Sequence, residues 1–181
     1  MRALIPTLAG ASALLLLTAC SGGGGGSSTP TYATSLAYTN PTSGAYQLVK
    51  DSASSGGTLV LDLVSTTGAS ISGVSFSFSA DTGKVAWTPF SDAGTAFNPG
   101  SAPKAVASRI SGTELQGAVS NKGTASPITP VAATVLAKVT LTLKGNTSAG
   151  AITLVDSGKS AILTSSGVTN IVISTGTLSA Q

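Results

Sequence analysis

Across 181 residues the chain carries nine basic side chains, six acidic ones and no histidine, for a net charge of +3. The missing imidazole excludes Ser–His–Asp and Cys–His catalysis and His-based zinc sites, and a single cysteine excludes an intramolecular disulfide. With 41% of residues hydrophobic and 8% charged, the composition suits a folded domain with a buried core, and its basic residues are scattered singly, which argues against nucleic acid as a partner.

Residues 1–19 begin with Arg2 and continue as an apolar run from Ala3 to Leu17. That run is too short and too poorly flanked for a resident membrane helix, so it reads as an export signal. It ends Leu17-Thr18-Ala19-Cys20, followed by Ser21 and five glycines. This ending resembles the lipobox of bacterial lipoproteins. The resemblance implies that Cys20 is thioether-linked to diacylglycerol, becomes the new N-terminus after cleavage and is then N-acylated, making the lipid bilayer the first partner. Stable anchoring generally takes more than one acyl chain, a condition that such a terminus meets. Ser21 stands where Asp favours inner-membrane retention in enterobacterial-type sorting, so the expected location is the outer membrane of the cell envelope. Loss of Arg2 with the signal leaves eight basic and six acidic side chains, a balance of +2.

Residues 20–44 read as a tether. Ser21 to Thr29 is a Gly/Ser linker, and Pro30 to Ser43 continues as polar sequence without clear periodicity. About twenty such residues span roughly 25 Å as a flexible coil. Tyr32 and Tyr38 fall within this stretch.

Residues 45–181 are expected to form an all-β domain, an antiparallel sandwich of eight or nine strands. Leu59, Leu61 and Leu63 alternate with Asp62 on the opposite face, and Val74, Phe76 and Phe78 alternate with Ser75, Ser77 and Ser79. Asp81-Thr82-Gly83 predicts a hairpin-type turn, with the Asp side chain bonding the backbone two residues on. The next run, Lys84 to Thr88, places Val85 and Trp87 on one face and ends at Pro89. Further strands are expected at 105–110, 114–119, 135–144, 151–155, 161–164 and 170–174, separated by glycine-containing turns. In the longest, Val135, Ala137, Val139, Leu141 and Leu143 share a face. Residues 130–136 have room for one helical turn.

The order Leu59-Val60-Leu61-Asp62-Leu63, then Ile71-Ser72-Gly73-Val74-Ser75-Phe76-Ser77-Phe78-Ser79-Ala80-Asp81, resembles the opening of cohesin-like domains. Val135 to Leu143 looks like the long strand of that family, and Ile152, Ile162 and Ile171-Val172-Ile173 with Gly176-Thr177-Leu178 resemble its final hairpins. The likeness spans roughly residues 46–180. It implies a jelly-roll-like, nine-stranded sandwich of the superfamily shared by cohesins and several carbohydrate-binding modules. It does not by itself imply dockerin binding, because a fold does not fix a function.

Two binding chemistries follow, neither requiring a cofactor. Trp87, Phe90 and Phe97 are the candidate aromatic platform for a polysaccharide, although Trp87 alternates with Val85 and suits a core position better. The Ser and Thr side chains at outward positions, including Ser75, Ser77, Ser79, Thr140 and Thr142, are the candidate face for a protein partner. The six carboxylates Asp51, Asp62, Asp81, Asp92, Glu114 and Asp156 suit turns and solvated strand faces better than a glycosidase pair. Their spacing contains no EF-hand-like run, so no metal site is expected. The expected role is non-catalytic binding or assembly at the envelope, with a protein partner preferred, a carbohydrate-binding module as the alternative, and a structural surface lipoprotein without a specific ligand as the remaining reading.

Overall fold

The computed structural model describes residues 31–97, 104–122 and 125–181, and the expected export signal and Cys20 lie outside them. Fourteen strands occur among the described residues. They are β1 (Leu36–Thr39), β2 (Tyr46–Lys50), β3 (Thr58–Ser65), β4 (Gly73–Ala80), β5 (Val85–Ser91), β6 (Lys104–Ser111) and β7 (Glu114–Asn121). They continue with β8 (Thr134–Leu143), β9 (Gly150–Ile152), β10 (Leu154–Asp156), β11 (Ala161–Thr164), β12 (Gly167–Asn170), β13 (Ile173–Ser174) and β14 (Thr177–Ala180).

Alternation along the strands separates an inner, apolar face from an outer one. A five-stranded sheet runs β13-β2-β3-β8-β5, and its inward side chains include Leu48, Leu59, Leu61, Val139, Leu141, Val85 and Trp87. A six-stranded sheet runs β12-β11-β4-β7-β6, with β10 continuing beside β4, and it contributes Val74, Phe76, Phe78, Leu115, Val119 and Ile162. Phe76 stacks on Phe78, with ring centroids 5.2 Å apart, and meets Phe90 edge-on at 5.1 Å, so one aromatic group spans the two sheets. Among the described residues pairing is antiparallel, except for β13 beside β2. The architecture is a β-sandwich, as the sequence predicts.

A third sheet, β1-β14-β9, supplies Leu36, Tyr38, Leu178, Ala180 and Ile152 to the same core. The folded unit therefore starts at Thr31, and the tether expected over residues 20–44 ends sooner than the sequence suggests. The short strand Leu-Ala-Tyr-Thr has too few residues to display a period. Tyr38 holds it in place: its hydroxyl donates to the Leu48 carbonyl (3.0 Å) and accepts from the Gly176 amide (2.7 Å).

Other departures have local causes. The Asp81 turn is present, with the Gly83 amide donating to Asp81 Oδ1 (2.9 Å), but β4 and β5 enter different sheets, so it arches between layers instead of closing a hairpin. The chain crosses between sheets again at Thr153 and near Val172, dividing two expected strands into β9/β10 and β12/β13. β5 passes through Pro89 to Ser91 because its register shifts between Thr88 and Ser91, on an edge strand where a missing N–H is tolerated. A second shift between Leu63 and Val64 resets β8, so Leu136, and not Val135, takes the fully buried position. Residues 131–133 make a turn before β8, where a helical turn had room to form.

Candidate functional site

Trp87, Phe90 and Phe97 do not form an exposed platform. They are 8%, 6% and 0% exposed. β5 directs Trp87 into the core opposite Leu141, and its indole N–H donates to the Thr113 carbonyl (2.9 Å), satisfying the one polar group it brings inside. Phe90 packs against Phe76, and its backbone amide donates to Ser108 Oγ (2.6 Å). Of the eight aromatic residues in the chain, Tyr32 is the one left exposed. The structure thus provides no aromatic surface from these residues on which a sugar ring could stack.

The hydroxyl candidates divide between two opposite surfaces. Thr140 and Thr142 lie on the outer face of the five-stranded sheet, in rows Thr88–Thr140–Val60 and Ala86–Thr142–Thr58. The next row, Ser91–Lys138–Asp62–Val49, carries an ion cluster. Lys138 Nζ pairs with Asp62 Oδ1 (2.6 Å) and with Asp51 from the turn after β2. The two carboxylates respond differently. Hydrogen bonds from the Ala53 amide and Lys138 hold Asp51 down at about 2, whereas burial pushes Asp62 upward despite the same lysine.

The remaining acids also have structural engagements. Asp92 pairs with Lys104, and Asp156 accepts from Ser160 Oγ (2.8 Å) and the Ile173 amide (2.9 Å). Glu114 accepts from Lys159 (3.1 Å) and Gln116 (3.0 Å), and these bonds lower its pKa. Among the described residues no three carboxylates gather in one place.

The outer face of the six-stranded sheet has a different character. Strand register places Ala107, Ala118, Ser75 and Ala161 in one cross-strand row. The adjacent row is Ala105, Ser120, Gly73, Leu163 and Val168. Small side chains over the centre and larger ones at the β11–β12 end make a shallow trough of about 220 Å³. Leu163 is 37% exposed and Val168 is 73% exposed. Gly73 is required where it lies, because a Cβ there would come within 2.7 Å of the Ser120 Cβ. On the other side of the alanine row, Arg109, Gln116 and Ser77 align across β6, β7 and β4, beside a second hollow of about 410 Å³ reached by Lys159.

Sequence reasoning located Ser75, Ser77 and Ser79 on this face but missed the alanines, Leu163, Val168, Arg109, Gln116 and Lys159. The alternation Ala105-Val106-Ala107 was a usable signal. What it lacked was strand order, which alone brings residues from positions 73, 105, 118, 163 and 168 together.

No protein-family model matches the chain, and no curated protein matches it. Among solved structures, it is similar to the sixth cohesin of scaffoldin B from Acetivibrio cellulolyticus, determined in complex with a mutant Cel5 dockerin. The TM-score is 0.51 at 16% identity, over 82% of this chain and 97% of that one. The likeness establishes a cohesin-like sandwich fold.

Proposed function

We propose that this chain is an envelope lipoprotein, anchored through acylated Cys20, whose sandwich binds a protein partner without catalysis. The observation that carries the binding reading is the trough on the six-stranded sheet: contiguous, apolar, and bordered by exposed Leu163 and Val168. Exposed large apolar side chains adjoining an apolar floor mark interaction surfaces, whereas those scattered singly do not. A flat floor of Ala, Gly and Ser admits side chains or backbone from a partner at close range. The cohesin-like fold supports the same reading, since the similar cohesin was seen in complex with a dockerin. A polysaccharide reading is less well supported, because its proposed aromatic residues are buried.

The test uses the full chain in detergent, cross-linked to envelope extract at increasing concentration. A saturable protein adduct is expected for the native chain and for Thr140→Arg on the opposite sheet, and its loss for Ala118→Arg in the trough floor. An adduct indifferent to Ala118→Arg would move the binding surface elsewhere. The anchor is tested separately. Cys20→Ala should abolish incorporation of labelled palmitate and release the chain from the membrane fraction, and unchanged labelling and retention would refute it.

A further inference from the structure

Resting on the protein-binding reading of this face, we propose that the hollow beside the trough is a carboxylate-recognition subsite, which selects a partner segment bearing Asp or Glu next to large apolar side chains. Three strands point their side chains into one row, Arg109–Gln116–Ser77, and the 157–160 connection brings Lys159 to its end. Arg109 is exposed and makes no hydrogen bond or ion pair with the described residues, although a guanidinium presents a fork of donors matched to a carboxylate.

Ser77 supplies the second, independent observation. It is 3% exposed and lines the hollow, and its Oγ is buried without a hydrogen-bond partner among the described residues. A buried hydroxyl left unpaired is costly, and a χ1 turn toward the hollow would let an oxygen from a ligand satisfy it. The charge inventory points the same way. Two cations, Arg109 and Lys159, face the row, and one anion, Glu114, is already shared between Lys159 (3.1 Å) and Gln116 (3.0 Å). One further negative charge completes the set.

The neighbouring trough identifies the source of that charge. Rows on one face of a strand repeat every two residues, about 7 Å, so the apolar rows lie about 7 and 14 Å from the polar one. An acidic side chain on an amphipathic segment, with apolar residues one and two turns or alternate strand positions away, spans both hollows. An acidic polysaccharide would satisfy Arg109 and Lys159 but leave Leu163 and Val168 uncovered.

The experiment selects binders to the full chain in detergent from a random 12-residue peptide display library, with polyguluronate tested in parallel. Variants are first checked for native melting behaviour, and Arg109→Gln serves as the milder substitution. The expected result is enrichment of peptides pairing Asp or Glu with bulky apolar residues. These should lose tenfold or more in affinity with Arg109→Glu/Lys159→Glu, less with Arg109→Gln, and all binding with Ala118→Arg. Selection on the charge-reversed chain should shift toward Lys and Arg. Peptides abolished by Ala118→Arg but indifferent to the charge at 109 and 159 would overturn the subsite and leave the face intact. Failure to recover any peptide sensitive to Ala118→Arg would overturn the face itself. Polyguluronate binding lost on charge reversal but unaffected by Ala118→Arg would overturn the peptide occupant.

Discussion

Gly117→Ala tests the packing beneath the proposed binding face. Gly117 lies on β7 opposite Phe76, and a Cβ added there would come within 2.6 Å of Phe76 Cε2 and 2.9 Å of Cε1, and closer still to Cζ. Carbon atoms prefer separations of about 3.5–4.0 Å, so the ring must move by nearly an ångström or more. Phe76 has nowhere to go: it is 2% exposed and held between Phe78 and Phe90. Overpacking of this kind costs about 1–3 kcal/mol, and a blocked, fully buried ring belongs at the upper end. Without the clash, Gly→Ala in an ordinary strand conformation would stabilise by about 0.4–1 kcal/mol, so the sign alone discriminates. About 3 kcal/mol corresponds to a Tm lowered by roughly 6–12 °C in a domain of this size. Urea titration and thermal melting of the two single variants and Gly117→Ala/Phe76→Leu complete the assay. Phe76→Leu vacates the ring's place, so the double variant should be less destabilised than the two singles added, by about 1 kcal/mol or more. A neutral or stabilising Gly117→Ala, or strict additivity, would refute this account of the aromatic layer.

Lys138→Met should destabilise by about 1–2 kcal/mol at pH 7, because Asp51 and Asp62 would be left facing each other. The deficit should shrink by pH 4 as one carboxylate takes a proton, which urea midpoints at the two pH values would reveal. Asp51, lowered from an ordinary 3.8 to about 2, contributes stability that is complete above 3.8 and lost as pH falls toward 2. Solvent screening reduces its worth to about 1 kcal/mol, and Asp51→Asn should flatten that limb of the stability curve. Asp62, shifted upward by burial, has the opposite sign, so Asp62→Asn should steepen the acid loss. Tyr38→Phe should cost about 1–2 kcal/mol by orphaning the Gly176 amide and the Leu48 carbonyl, and a silent substitution would return β1 to the tether. Trp87→Phe should cost about 1 kcal/mol through the lost bond to Thr113 and leave partner capture unchanged; loss of capture from a folded variant would restore a binding role for Trp87.

The long central strands were legible in the sequence because each has one wet and one dry face. Leu59-Leu61-Leu63 and Val74-Phe76-Phe78 are buried as their alternation demands. Short strands and crossings were not legible. β1, β9, β10, β12 and β13 have two to four residues each, too few to establish a period, and their sheet membership depends on partners far away in sequence. Two bulges interrupt alternation where they occur, which is why Pro89 looked like a strand end and Val135 looked buried. The candidate site was the least legible part. Alanine and serine alternate weakly on any hydropathy scale, and a trough made of them exists only once β6, β7, β4, β11 and β12 are laid side by side.

The two outer faces show why the proposed function is assigned to one of them. Both belong to sheets covered on their inner side by the same core, so neither is needed open for folding. The five-stranded sheet finishes its surface with threonines, half-buried Val49 and Val60, and Lys138 held between Asp51 and Asp62, so its charged groups engage one another. The six-stranded sheet finishes with alanines, an exposed Leu163 and Val168, and, among the described residues, an Arg109 and a buried Ser77 hydroxyl without side-chain partners. Exposed apolar area carries a free-energy cost in the isolated domain, and contact with an acidic, amphipathic segment would relieve it while pairing Arg109. Folding alone gives no reason for an apolar floor, exposed Leu163 and Val168 and the Arg109 row to lie side by side on one face; a binding surface does.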